Sequence, residues 1–306
     1  MQGIELSQKF FEAHGQPMLD AQFGAFQDRI AVGLVGEGSQ CLGYDDELSQ
    51  DHDFEPGFCL FITEEDYRKF GFPLERAYAK LPKTFLGFDR PPLSPVGGNR
   101  VGVLVIEDFY TRFLGSPTPP ESYMQWLSIP TSALRAATSG EIWRDDLGVF
   151  SSVRNTLLEG YPEDVRLKKL AAHTILMAQS GQYNLPRILS RNDTGAAQLC
   201  AYEFIRHAIS AVYLINNVYE PFYKWAYRGM RDLPLLSELE KPLCELPGAA
   251  DKPALIEEIA AVFADAFRMQ GISKETGNTL SAHAYGITNK IRDGQIRNLH
   301  IMAGID

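Results

Sequence analysis

The 306-residue chain has little cysteine, no excess of positive charge and no long hydrophobic run. Its four cysteines, Cys41, Cys59, Cys200 and Cys244, lie far apart, with no Cys-x-x-Cys and no histidine at ligand spacing, which argues against a zinc site or a disulfide framework. The net charge of −10 and a pI near 5.2 argue against a protein that coats nucleic acid, because such binding needs clustered Lys and Arg to displace counterions. A small-molecule acceptor is the easier partner. The longest apolar runs, Phe58–Ile62 and Val103–Ile106, are far too short to cross a bilayer, and the N-terminus has no charged start followed by an apolar core. The chain reads as soluble and cytoplasmic, with no membrane partner. It has no internal repeat and no low-complexity tract, and its oligomeric state is not written in the sequence.

What is present is an ordinary globular composition, long enough for two lobes. Apolar spacing predicts a helix over 4–14, an apolar strand over 29–35 that ends in the turn Gly36 to Ser39, and a second strand over 58–62. A helix over 64–81 follows, with Thr63 as its N-cap, and then a third strand over 100–106 and a short helix over 107–114. The three prolines between Gly115 and Pro120 mark a boundary. Beyond Glu121 the β signal almost vanishes, and helices are expected over 132–139, 149–159, 163–179, 194–217, 235–246, 253–269 and 282–292. The expected fold class is α+β, with a small mixed-sheet domain over 1–118 followed by an all-α helical domain over 119–306.

One constellation has the pattern of a reactive site. Gly38-Ser39 is followed, after eleven intervening residues, by Asp51-His52-Asp53. If the chain is extended there, Asp51 and Asp53 project on one side and His52 on the other, so the two carboxylates form a cation site and His52 packs structurally. Magnesium takes one or two carboxylates and completes its shell with water and substrate phosphate, so the pair suits a metal that arrives with a nucleoside triphosphate. The glycine turn would hold phosphate oxygens with backbone N–H groups and the Ser39 hydroxyl. Asp45 and Asp46, in the intervening turn, are expected to cap backbone N–H groups.

This strand, glycine-serine turn and spaced Asp-x-Asp resemble the signature of the polymerase beta type nucleotidyltransferase superfamily, which includes aminoglycoside nucleotidyltransferases. More narrowly, Gly36 through Asp53, Gln179 through Asn184 and Tyr219 through Trp225 resemble a bacterial family, domain of unknown function 4037, and that likeness extends over most of the chain. The superfamily resemblance implies a nucleotidyltransferase-like first domain that uses Mg2+ and a nucleoside triphosphate, ATP first, to transfer a nucleoside monophosphate to an acceptor hydroxyl. It also implies a third carboxylate on a later strand. That place falls on Gly102, which has no side chain, and Glu107 is the nearest substitute, with Asp108 beside it. Two further departures are His52 between the aspartates and Glu55-Pro56-Gly57, which interrupts the strand after them.

Outside the first domain, Lys224 among Phe222, Tyr223 and Trp225 is a cation that would reach triphosphate oxygens in a cleft between lobes. Gln182, Tyr183, Asn184 and Arg187 follow Ser180-Gly181, where a long helix is expected to stop with a glycine C-cap, and Tyr183, Asn184 and Arg187 would line an acceptor pocket. Arg166 and His173 have the spacing seen in a family of helical RNases. Two rival readings therefore stand beside the enzyme: a catalytically degenerate nucleotide-binding protein, and an RNase- or antitoxin-type helical module, which the acidity of the chain disfavours.

Overall fold

The computed structural model describes residues 1–51, 54–90 and 100–305, with the side chains of Gln50 and Asp51 outside that description. The fold is α+β, a mixed four-stranded sheet with helices followed by a largely helical C-terminal region. Among the described residues, no helix is long and apolar enough to cross a membrane.

Among the described residues six strands occur, β1 (Ala31–Val35), β2 (Cys59–Ile62), β3 (Thr84–Phe85), β4 (Phe88–Asp89), β5 (Gly102–Val105) and β6 (Gly140–Arg144). The main sheet has the order β5-β2-β1-β6, and β3 and β4 form a separate hairpin. β1 pairs antiparallel with both β2 and β6, whereas β2 pairs in parallel with β5, Cys59 opposite Gly102. A parallel pair needs a crossover, and the helical stretch from Glu64 to Ala79 supplies it. Thr63 caps this stretch as its sequence position implies, its hydroxyl accepting from Asp66 N at 3.2 Å. Asp66 is buried and also accepts from Arg29 Nε at 2.8 Å, which fixes the helix start beside the entry to β1.

β1 is buried at every residue, because both faces of the sheet are covered. On one face Val32, Leu60 and Ile62 pack with Phe10, Leu19, Leu74 and Tyr78. On the other, Phe61 stacks 4.1 Å from Phe150 and 5.2 Å from Phe109, ring centroid to centroid. The Tyr78 hydroxyl accepts from Phe58 N at 3.1 Å and donates to Phe58 O at 2.8 Å, pinning the chain as it enters β2.

The chain divides into two compact units: Met1–Pro120 with Ala133–Glu159, and Glu121–Ser132 with Gly160–Asp306. The first break lies within two residues of the prolines, but 133–159 rejoins the first unit, a departure from the boundary read from the sequence. The reason is β6. Gly140–Arg144 adds an edge strand to β1, and the following helix Val149–Leu158 inserts Phe150 against Phe61, with Tyr110 donating to Phe150 O at 2.8 Å. Five residues of mostly half-buried edge strand leave little alternation in the sequence.

The second unit is helical among its described residues. Glu163–Met177 is its centre and is buried nearly all round, even at Lys168 and Lys169. These two ammonium groups reach the final segment, Lys168 Nζ donating to Leu299 O at 2.8 Å and Lys169 Nζ to Gly304 O at 2.9 Å. The helix does not stop at Gly181. It widens into a π-helical stretch, Ala178–Asn184, and continues as Leu185–Leu189. Gly181 is there because a Cβ would sit 2.4 Å from Phe204 Cδ2, so close helix packing, not a C-cap, explains it.

Gly33 sets the approach of β6, since a Cβ on it would lie 2.2 Å from Glu141 O and 2.9 Å from Ile142 Cα, both backbone atoms. Gly33→Ala is expected to lower the unfolding free energy by about 2 kcal/mol or more, read from urea denaturation. A change below about 0.5 kcal/mol, the scale of surface substitutions, would show that β6 does not approach so closely.

Candidate active site

At the end of β1 the chain turns through Gly36 (φ +129°) and Gly38 (φ +112°) into the short helix Ser39–Leu42. With ψ of 161°, Gly38 lies in a region open essentially to glycine alone, so the turn shape is written into the residue type. Among the described residues, the N–H groups of Glu37, Gly38 and Ser39 donate to no backbone or side-chain acceptor in the hydrogen bonds of the turn. Beside this turn the first unit has a half-open cavity of about 820 Å³. Its wall includes Gly36, Glu37, Gln40 and Cys41 from the turn, Glu55 and Tyr67, Arg100 just before β5, and Asp108, Phe109 and Arg112 from the helix after it. Gly38 and Ser39 stand between lining residues but do not themselves line the cavity.

Burial pushes the thiols of Cys41 and Cys59 up to about 12, so both are held as neutral thiols at neutral pH. Cys59 Sγ instead donates to Arg100 O at 3.2 Å.

The backbone of Asp51 ends a 3-10 turn, Leu48–Asp51, and is not the extended chain expected from the sequence. Asp46 starts that turn: its carboxylate accepts from Ser49 N and Ser49 Oγ, both at 3.0 Å, and these bonds hold its pKa below the usual carboxylate value. Asp45 accepts from Gly3 N at 2.6 Å, so both acidic residues act as caps. The Asp51 side chain, His52 and Asp53 lie outside the described residues. Among the described residues, no group of three or more His, Cys, Asp or Glu side chains is arranged to hold a metal ion.

The two candidates for a third carboxylate separate. Glu107 Oε2 accepts from Glu64 N at 2.9 Å, so it caps the crossover helix. Asp108 lines the cavity and is exposed. Sequence reasoning put Glu107 first because it stands nearer the strand, but the helix Ile106–Leu114 begins one residue earlier and turns Glu107 toward the crossover. Arg100 and Arg112 were missed as cavity residues, and no local spacing distinguishes them from other surface arginines.

In the second unit, Tyr183 lines a groove of about 410 Å³ with Gln179, Gln182, Thr279 and Ser281. Gln182 is held there by Glu257 and by Leu280 N, which donates to its Oε1 at 2.9 Å. Arg187 lies over the Tyr183 ring at 4.5 Å, and neither Arg187 nor Asn184 is among the groove-lining residues. Lys224 is exposed in the turn Tyr223–Trp225, its ammonium 5.5 Å from the Trp225 ring centroid.

A family described as a domain of unknown function (DUF4037) matches residues 126–226, about a third of the 306 residues. Over this stretch the chain is similar to DUF4037. The stretch holds Gln179–Asn184 and Tyr219–Trp225, and it leaves the glycine turn and Asp51 to Asp53 outside. It lends nothing to the polymerase beta type superfamily. No curated protein and no solved structure matches the chain.

Arg166 and His173 are both buried. Arg166 grips Glu163 with two bonds, at 2.9 and 2.8 Å, and donates to Leu214 O at 3.1 Å. His173 Nδ1 faces His207 Nδ1 at 3.1 Å, while His207 Nε2 lies 3.3 Å from Glu203 Oε2. Neither Arg166 nor His173 is presented as a surface RNase site would need.

Burial, reinforced by the facing ring and by Lys169 and Arg206, drives the pKa of His173 well below its ordinary value. Burial and Arg206 bring His207 down to about 4, against the opposing pull of Glu203. Both rings are thus held neutral, and the unfolded chain binds more protons below its own pKa of about 6.5. The stability this contributes is complete above that pH and is lost as the pH falls toward the folded value of about 4 for His207. The melting temperature is expected to fall between pH 7 and pH 5 more steeply in the wild type than in His173→Asn/His207→Asn. Equal slopes would mean that the rings titrate as freely in the folded state as in the unfolded one.

Proposed function

We propose that the first unit binds a magnesium–nucleoside triphosphate, ATP first, and transfers its nucleoside monophosphate to the hydroxyl of a small-molecule acceptor. The reading is carried by one observation: a glycine turn whose N–H groups meet no acceptor among the described residues closes a buried strand at the rim of a cavity that arginines line. Further support comes from element order. Helix, β1, turn, short helix, β2, crossover helices, β5 and helix follow one another, with Asp51 and Asp53 a few residues before β2.

Asp51 and Asp53 would hold magnesium, which neutralises triphosphate charge when bound. Two carboxylates suffice for this ion, because water and phosphate oxygens complete its shell. Asp108, facing the cavity, is the better third carboxylate than Glu107. The acceptor oxygen attacks the α-phosphorus, the bond to the bridging β-oxygen breaks, pyrophosphate leaves and the hydroxyl proton passes to a base. The net charge of −10 favours a small acceptor over a nucleic acid.

A second reading, nucleotide binding without turnover, is favoured by Gly102 at the expected carboxylate position and by the capping task of Glu107. Calorimetric titration of magnesium–ATP into wild type and Asp51→Ala/Asp53→Ala tests the site, with at least about tenfold weaker binding expected in the variant. No binding by wild type, or equal binding by both, would sink the assignment. Release of pyrophosphate with a broad acceptor mixture separates the enzyme from the silent binder.

A further inference from the structure

Three guanidinium groups line the cavity of the first unit, those of Arg68, Arg100 and Arg112. Arg68 is paired with Glu64 one helical turn back. The other two converge on a single residue of the glycine turn. Arg100 Nη2 donates to the Glu37 carbonyl, and Arg112 Nη2 donates to the Glu37 carboxylate at 2.5 Å. Arg100 reaches in because Gly38 leaves the space: a Cβ there would sit 1.9 Å from Arg100 Nη2.

We infer that Glu37 is an internal stand-in for a phosphate, and that the cavity takes a polyphosphate whose oxygens replace the Glu37 carboxylate on Arg112, beside Arg100. The identity of the anion rests on the proposed triphosphate site. The pair it displaces is easily opened, since the side chains of Arg112 and Glu37 are 52% and 54% exposed and solvent screens their attraction. A terminal phosphate carries more charge than a carboxylate and, like it, presents two oxygens to a guanidinium fork. Glu37 therefore competes with the ligand for Arg112 and repels it, on a wall that also carries Glu55, Glu64, Glu75 and Asp108.

The inference predicts opposite effects for the two partners of one ion pair. Pyrophosphate, and separately magnesium–ATP, would be titrated calorimetrically into wild type, Arg112→Gln and Glu37→Gln, with melting curves to verify folding. Arg112→Gln is expected to weaken pyrophosphate binding roughly tenfold to a hundredfold, and Glu37→Gln to tighten it by about threefold to tenfold. A merely structural clip would move both variants in the same direction. Weakening in both, equal affinity in all three proteins, or no uptake of pyrophosphate by wild type overturns the inference. If pyrophosphate shows the opposed shifts but no nucleoside triphosphate binds, the polyphosphate site stands and the nucleotidyl-transfer reading fails. If magnesium–ATP binds with an affinity that neither substitution changes, the reverse holds.

Discussion

The first unit is organised by the closeness of two backbones at Gly33. β1 runs buried between β2 and β6, and no side chain fits where Gly33 faces the Glu141 carbonyl. Gly140 makes the matching concession from the other strand, its own Cβ position lying 2.0 Å from Leu34 O. Such closeness lets the 133–159 segment complete the sheet and lets Phe150 fill the face opposite the N-terminal helices. It also makes β1 a rigid stem whose end, Gly36 to Gly38, is held at the cavity rim.

The arginines of that cavity each meet an acceptor, while Glu55, Glu75 and Asp108 add further acidic lining. Arg112 and Arg100 are engaged by Glu37, Arg68 by Glu64, and Glu107 by a helix N–H group. Exposed pairs of this kind contribute little to stability, on the order of 0–1 kcal/mol each, so they serve better as exchangeable partners than as struts. Buried Asp66 with Arg29 is the contrast, a pair whose loss would leave a desolvated carboxylate.

The second unit uses polar groups differently. Lys168 and Lys169 are buried in its central helix and spend their donors on the carbonyls of Leu299 and Gly304, which ties the last segment to the core. The His173–His207 pair, held neutral by burial, fills the space between Glu163–Met177 and Thr194–Ile215. The π-helical widening at Ala178–Asn184 brings Gln179, Gln182 and Tyr183 to a groove, within the stretch similar to DUF4037.

Local chemistry alone determined a good part of this protein. The apolar run 29–35 reads as a strand and is one over Ala31–Val35, the glycines after it read as a turn, Thr63 as a cap, and 194–217 and 253–269 as helices, which the fold forms over 194–215 and 252–269. Each depends on residues a few positions apart, where hard-sphere limits, capping and helical period act. Tertiary structure alone decided that 140–144 pairs with β1, that Gly181 yields to Phe204, and that Glu107 caps a helix while Asp108 faces the cavity. It also brought Arg100 and Arg112 to Glu37 across 63 and 75 residues. No period or cap encodes such meetings, because they are set by which faces of distant elements are buried together.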